Sequence, residues 1–316
     1  MDTWQFIIDQ YKAGNDVAIL YVVESIGSSP GRRGFKMAVS SGGLLSGTIG
    51  GGIMEHKFVE MARSFIKEPA SHTGIYKQVH DTDSKNRSGM ICSGEQTIFL
   101  YKVQQKDIPF IESLINSLQS RNTGTIKLSM DGIVFSDQKP KKDHFTLEND
   151  NNDFLYEETT GNKNILYIIG GGHCSLALSR LIHFMTFYTI VIDDRPGLNT
   201  MEYNTFVDEK IIIPTFESCG QIVKEGDNVY VVVMTFGYRT DDLVIRSLTG
   251  MKFKYIGLLG STSKIKKMFD QYKSENFDQD WLAKIHSPVG VNIKSETTEE
   301  IAISIAAEII SIKNAI

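Results

Sequence analysis

Apolar residues along the chain follow helical and strand-like rhythms whose order changes near the middle. In the first half the two alternate irregularly. Trp4, Ile7, Ile8 and Tyr11 share one helical face, which predicts an amphipathic helix over 2–13. The unbroken run VAILYVVES (17–25) predicts a buried strand. The turn-rich GSSPGRRG (27–34) predicts a loop, 35–40 a second strand and SGG (41–43) a hairpin turn. LLSGTIGGG (44–52) leads into a helix at 53–67. Strands at 74–80 and 95–103, a helix at 107–120 and a hairpin at 123–136 complete this half.

Residues 137–164 are polar, charged and rich in Asn and Asp, interrupted by Phe145, Leu147, Phe154, Leu155 and Tyr156. This stretch is expected to be a mobile linker with one or two short strands; a disordered surface loop fits the same composition. The expected organisation is therefore an N-terminal α/β domain over 1–136, a linker over 137–164 and a second domain over 165–316. In that last part, apolar strands at 165–170, 188–194, 210–214, 228–235 and 253–260 alternate with amphipathic helices at 173–187, 241–250 and 298–313. Buried strands alternating with helices predict an α/β fold with a Rossmann-like, doubly wound parallel sheet.

The charge balance narrows the partners. With 33 basic and 38 acidic residues the net charge is -5, so nothing in the composition pulls the chain toward nucleic acid or an anionic membrane. Any anion site must be local. No apolar run approaches the roughly 18 residues of a membrane span. The three cysteines, Cys92, Cys174 and Cys219, form no CxxC pair, and the N-terminus shows no secretory pattern, so a cytoplasmic location is expected.

Candidate chemistry gathers at glycine-rich turns. Gly170, Gly171 and Gly172 followed by His173 lie between a strand and a helix, the placement that lets backbone amides approach a pyrophosphate. Asp193 follows Gly172 by 21 residues at the end of the next strand, the spacing of a ribose-binding acid. A Rossmann-shaped domain that binds no dinucleotide fits the same pattern. Gly260 and Ser261 open another helix and suit an anion or an ordinary N-cap equally. In the first half, Arg32 and Arg33 in one loop and Gly50, Gly51 and Gly52 before a helix offer guanidinium forks and free amides to a phosphate. Structural turns with solvated arginines account for the same residues. Cys92, in GMICSGE (89–95), is a candidate thiolate for metal or sulfur chemistry or an inert buried thiol. Cys174, at a helix start, has a similar case. The seven histidines are scattered, so no structural metal site is expected.

Together these stretches resemble the xanthine dehydrogenase accessory family, XdhC/CoxI. The resemblance rests on GSSPGRRGFKMAVSSGGLLSGTIGGGIME (27–55), GMICSGE (89–95), LYIIGGGHCSLAL (166–178), IVIDDRP (190–196), VVVMTFGYRTDD (231–242), YIGLLGS (255–261) and SPVGVNIKSETTEEIAISIAAEI (287–309). It implies an accessory factor that binds the molybdenum cofactor (molybdopterin), assists its sulfuration and inserts it into a molybdenum hydroxylase such as xanthine dehydrogenase. A sulfur donor and self-association into a homo-oligomer are implied with it. Three positions depart from the family pattern. Phe236 follows Thr235 where the family commonly has His, Gly260-Ser261-Thr262 lacks the usual Arg, and Cys92-Ser93-Gly94 replaces CGG. The first two remove a titratable group and a cation from the C-terminal half. An NAD(P)-dependent oxidoreductase, with NAD(P) or another nucleotide on the second domain, is the alternative. Tyr238, Arg239 and Asp241 supply it no convincing hydride-transfer acid/base pair.

Overall fold

The computed structural model describes residues 2–68, 73–79, 94–120, 122–138, 145–150, 153–185 and 187–315. They form two compact units, 1–161 and 162–316. The first contains α1 (Asp2–Lys12), β1 (Val17–Gly27), β2 (Lys36–Ser40), β3 (Leu45–Gly47), α2 (Gly52–Lys67), β4 (Gly74–Val79), β5 (Gly94–Lys102), α3 (Ile108–Gln119), β6 (Gly124–Ser129), β7 (Gly132–Ser136), β8 (Phe145–Asp150) and β9 (Asp153–Thr160).

An antiparallel sheet in the order β3-β2-β1-β5-β4 organises this unit. Its central strand β1 is covered on both faces, which is why 17–23 is apolar without alternation. Ala18, Leu20 and Val22 pack with Phe58, Val59, Ala62 and Phe65 of α2. Ile19, Tyr21 and Val23 point the other way, into a core with α1, α3 and a second antiparallel sheet, β7-β6-β9-β8.

That second sheet revises the expected linker. The 137–164 stretch contributes β8 and β9, β9 pairs with β6, and the division between units falls after Gly161. Phe154 and Tyr156 are buried in the first unit's core, whereas Glu157 is only half-buried. A strand that buries one face against a neighbour needs few apolar residues, so its composition resembles that of a linker.

The second unit contains β10 (Asn164–Ile169), α4 (His173–Ile182), β11 (Phe187–Asp193), α5 (Asn199–Glu202), β12 (Glu209–Ile212), α6 (Cys219–Ile222), β13 (Gly226–Val233), α7 (Tyr238–Ser247), β14 (Phe253–Leu258), α8 (Thr262–Ser274), α9 (Gln279–Leu282), β15 (Ile285–His286) and α10 (Thr298–Asn314). Its six strands are all parallel in the order β12-β11-β10-β13-β14-β15. In chain order this is 3-2-1-4-5-6, the doubly wound Rossmann arrangement with its switch point between β10 and β13. Leu166, Ile168, Tyr230 and Val232 pack under α4 and α10. Ile169, Val231, Val233 and Leu258 face Val244 and Ile245 of α7 and Met268 of α8. No helix among the described residues is long and apolar enough to cross a membrane.

The last helix lies where its sequence predicts, over Thr298–Asn314. Thr297 caps it, its hydroxyl accepting from the Glu300 amide while Glu300 accepts from the Thr297 amide. Ile305 is fully buried and Ile303, two residues earlier, is half exposed. Ile305→Ala is therefore expected to lower the stability of this unit by about 2–5 kcal/mol in denaturant unfolding, the range for emptying a packed aliphatic site. Ile303→Ala should stay within about 0.5 kcal/mol of wild type.

Candidate functional site

In the first unit the two glycine-bearing loops are packed together. A Cβ on Gly31 would collide with the Ile49 carbonyl oxygen, and one on Gly50 with the Gly31 amide, so only glycines allow this approach. The Gly31 amide donates to Gln96 Oε1 (3.1 Å), and Gln96 Nε2 donates to Gln78 Oε1 (2.8 Å). These two buried glutamines on paired strands fix the loop from below, a role that strand composition does not signal.

The mouth of α2 is filled by the chain itself. Gly51 is its N-cap, with no side-chain cap bond. The donors there converge on one carboxylate oxygen, Glu55 Oε2, which accepts from Thr48 Oγ1 (2.6 Å), the Ile49 amide (2.9 Å) and the Gly51 amide (3.0 Å). Burial by itself would raise the Glu55 pKa. The Thr48 hydroxyl and the amides of Ile49, Gly51 and Gly50 more than offset that and hold it below the ordinary glutamate range. Gly50 and Gly51 thus present their amides to an anion, as the sequence suggests, but that anion is Glu55. Gly52 begins the helix, exposed.

The two arginines are engaged separately. Arg32 is exposed and donates from Nη1 to the Gly27 carbonyl (3.0 Å). Arg33 donates its amide to Ser25 Oγ, and its charge acts on Tyr156. Tyr156 and Tyr21 both donate to Glu158 Oε2 at 2.8 Å. Cys92 lies outside the described residues.

In the second unit, β10, β11, β13 and β14 end along one edge and deliver their loops there. Gly170, at φ 113°, turns the chain where a Cβ would strike the Met234 carbonyl oxygen. The Gly171 amide donates to Asp193 Oδ2 (2.7 Å), and Thr200 Oγ1 donates to the Gly171 carbonyl (2.5 Å). Asp193 is fully buried. It also accepts from Arg195: Nε to Oδ1 at 2.8 Å, Nη2 to Oδ2 at 2.7 Å, and the Arg195 amide to Oδ1 at 2.9 Å. Burial pulls its pKa upward, but the Arg195 guanidinium and the Gly171 amide outweigh it and hold the carboxyl low. The acid expected to meet a ribose is thus bound four times by its own chain. Asp194 beside it is pushed up, first by burial and then by the Asp193 charge.

Three helices start along this edge, with different caps. Gly172 is the N-cap of α4 and Gly237 of α7, and neither helix has a side-chain cap bond. A Cβ at either glycine would meet nothing within 4 Å, so both starts face open space. His173 is exposed in the first turn of α4. Cys174 is half-buried, and burial pushes its thiol up, against the thiolate expected of a helix start. By contrast α8 is capped: Ser261 Oγ accepts from the Lys264 amide (3.3 Å), with Gly260 before it. Here the ordinary N-cap is what the structure presents.

Sequence reasoning did not assemble the cluster between these starts. Asp241, fully buried, accepts from Thr235 Oγ1 (2.6 Å), the Thr235 amide (3.2 Å) and Lys264 Nζ. Lys264 also donates to the Leu259 carbonyl (3.2 Å). Burial dominates and raises the Asp241 pKa despite Lys264 and Thr235. Asp241 comes six positions after Thr235 and Lys264 23 positions after Asp241, spacings that no local motif joins. A second unsignalled pair is Arg195 with Phe236, whose ring centroid lies 5.0 Å from the guanidinium carbon.

Comparison with known proteins follows the same two units. Residues 166–309 match the XdhC Rossmann domain, and residues 10–76 match the XdhC and CoxI family. The chain is 25% identical over 304 residues to the uncharacterized protein YqeB of Escherichia coli (strain K12), covering 94% of this chain and 43% of that protein. It thus spans less than half of YqeB. It is 24% identical over 337 residues to a probable xanthine dehydrogenase subunit of Bacillus subtilis (strain 168), covering 98% of this chain and 97% of that one. A solved structure described as a xanthine dehydrogenase from Bacillus halodurans shares the fold, with a TM-score of 0.69 at 21% identity over 99% of this chain and 96% of that chain.

Two tests address the internal ion contacts. The folded pKa of Glu55 is lowered, so its contribution to stability is complete above the ordinary glutamate range and lost as pH falls through the lowered value. The gap in unfolding midpoint between wild type and Glu55→Gln is expected to narrow on acidification through that window; a pH-independent gap would refute the assignment. Lys264→Met strands the buried Asp241 charge and should cost about 3–5 kcal/mol in denaturant unfolding, with part recovered when Asp241→Asn is added.

Proposed function

The chain belongs to the XdhC and CoxI family, and from that premise we propose that it serves the maturation of a xanthine-dehydrogenase-type enzyme. In this reading it binds the molybdenum cofactor as cargo, assists its sulfuration together with a sulfur donor, and hands it to the client hydroxylase. It acts in the cytoplasm as a homodimer. The Bacillus subtilis relative, named for a xanthine dehydrogenase and matched over nearly its whole length, supports the choice of client.

The observation that carries the reading is the pair of uncapped helix starts, α4 at Gly172 and α7 at Gly237, on either side of the switch point. Helix starts leave backbone amides without acceptors and carry the positive end of the helix dipole. Open space at both glycines admits an oxyanion, so the phosphate arm of the cargo fits these residues. Exposed His173 and Arg239, in the first turns of α4 and α7, add polar and cationic contacts. In the first unit, the Thr48–Gly51 donors already hold an anionic oxygen, and a ligand phosphate there would displace Glu55. Arg32, and Arg33 beyond it, are assigned to the rim of that loop. Cys92, the candidate contact for molybdenum or sulfur, lies outside the described residues; among the described residues no cluster of His, Cys, Asp and Glu is arranged to hold a metal.

The oxidoreductase alternative draws no support from Asp193, whose carboxylate is committed to Gly171 and Arg195 and would have to leave both to meet a ribose.

Protein purified from a host that makes the cofactor is expected to release a fluorescent pterin on oxidation and to carry molybdenum by mass spectrometry. Absence of both, with no uptake on incubation with free cofactor, would sink the proposal. Alanine at both Arg32 and Arg33 is expected to reduce client activity in cells. Unchanged client activity would make that loop a structural turn.

A further inference from the structure

We propose that Phe236 and Arg195 form a stacking platform for a planar nitrogen heterocycle that carries an anionic arm. Phe236 is 66% exposed, a large ring standing on a turn rather than packed under it. The turn is held from both sides. Thr235 before it is bonded through amide and hydroxyl to Asp241, and Gly237 after it N-caps α7. The backbone on either side of the ring is therefore held, and the ring itself meets Arg195.

Arg195 is fixed as firmly. Its guanidinium makes a two-pronged contact with Asp193, and the same carboxylate holds the Gly171 amide. Its carbon lies 5.0 Å from the Phe236 ring centroid, within the range of a cation–π contact. Arg195 follows β11 and Phe236 follows β13, and both strands neighbour β10. The pair thus spans the end of β10, where the Gly170–Gly172 turn leads into α4. This places a cation–aromatic pair, its ring still exposed on the side away from Arg195, at the switch point, where doubly wound sheets take their ligands.

The surroundings select the ligand. A guanidinium backed by a carboxylate and an aromatic ring receive the π face of a heterocycle, whatever its substituents. The open starts of α4 and α7 receive a phosphate or carboxylate arm. Nucleotides and phosphorylated pterins share that chemistry. The inference rests on the function proposed above for including a pterin, but its test needs neither client nor metal.

Purified full-length chain is titrated with ADP by calorimetry and with 6-carboxypterin by fluorescence. At least one probe is expected to bind, and which one identifies the source of the ring. Phe236→Ala should weaken that binding about tenfold or more, the scale of one lost ring stack. Phe236→Trp should retain or strengthen it. Phe184→Ala, which removes an exposed ring elsewhere in the unit, should leave it unchanged. Circular dichroism confirms that each variant is folded. Failure of both probes to bind wild type, or equal binding by Phe236→Ala, overturns the platform. Probe binding by a protein that never carries pterin or molybdenum removes the maturation reading and leaves the platform. Full cofactor retention by Phe236→Ala does the reverse.

Discussion

The buried carboxylate of Asp193 ties together two loops of the second unit and, through Arg195, reaches a third. Through one side chain it fixes the Gly171 amide, the Arg195 backbone and the Arg195 guanidinium. Without those four donors a charge in that position would be strongly disfavoured, since burial alone pushes its pKa upward. Arg195 in turn reaches Phe236, so the position of the exposed ring depends on a contact made below it. The glycine turn, the strand that follows α4 and the loop before α7 are thereby set relative to one another.

Glu55 plays a related part in the first unit. Glycine-rich turns expose amides, and exposed amides need acceptors; here the acceptor is four residues into the helix that the turn begins. The two units therefore treat similar sequence signals differently. The α2 start carries its own carboxylate on its turn amides, while α4 has only glycine as N-cap; α7 has a glycine N-cap and an acid, Asp241, in its first turn, but that acid is turned onto Thr235 and Lys264. A carboxylate supplied from within stabilises the turn and competes with any incoming anion, whereas an uncapped start offers its amides without that competition.

The Asp241–Lys264 pair links the remaining strand ends. Desolvating both charges is costly, and the contacts to Thr235 and the Leu259 carbonyl help offset that cost. What the arrangement achieves is geometric: the end of β13, the start of α7 and the start of α8 cannot shift independently. The ligand-facing edge is in this sense built on two buried carboxylates, one on each side of β10.

Local pattern alone determined most of the architecture. Unbroken apolar strands such as 228–235 require cover on both faces, which only a parallel sheet between helix layers or a doubly packed central strand supplies. The Gly170–Gly172 turn followed by Asp193 marked the dinucleotide-type strand–turn–helix unit, and apolar spacing over 298–313 placed the last helix. The polar β8 and β9 escaped because one buried face, carried by Phe154 and Tyr156, leaves a composition like that of a linker. Side-chain commitments were decided by tertiary structure. Nothing in the spacing of Asp193 shows that Arg195 and Gly171 occupy it, nor does a glycine run show that Glu55 turns back to fill it. Lys264 and Phe236 acquire their partners only when parallel strands bring residues far apart in the chain to one edge. Hydrophobic periodicity is a local property and survives in the sequence; the pairing of charges and rings across strand ends depends on where the sheet puts them.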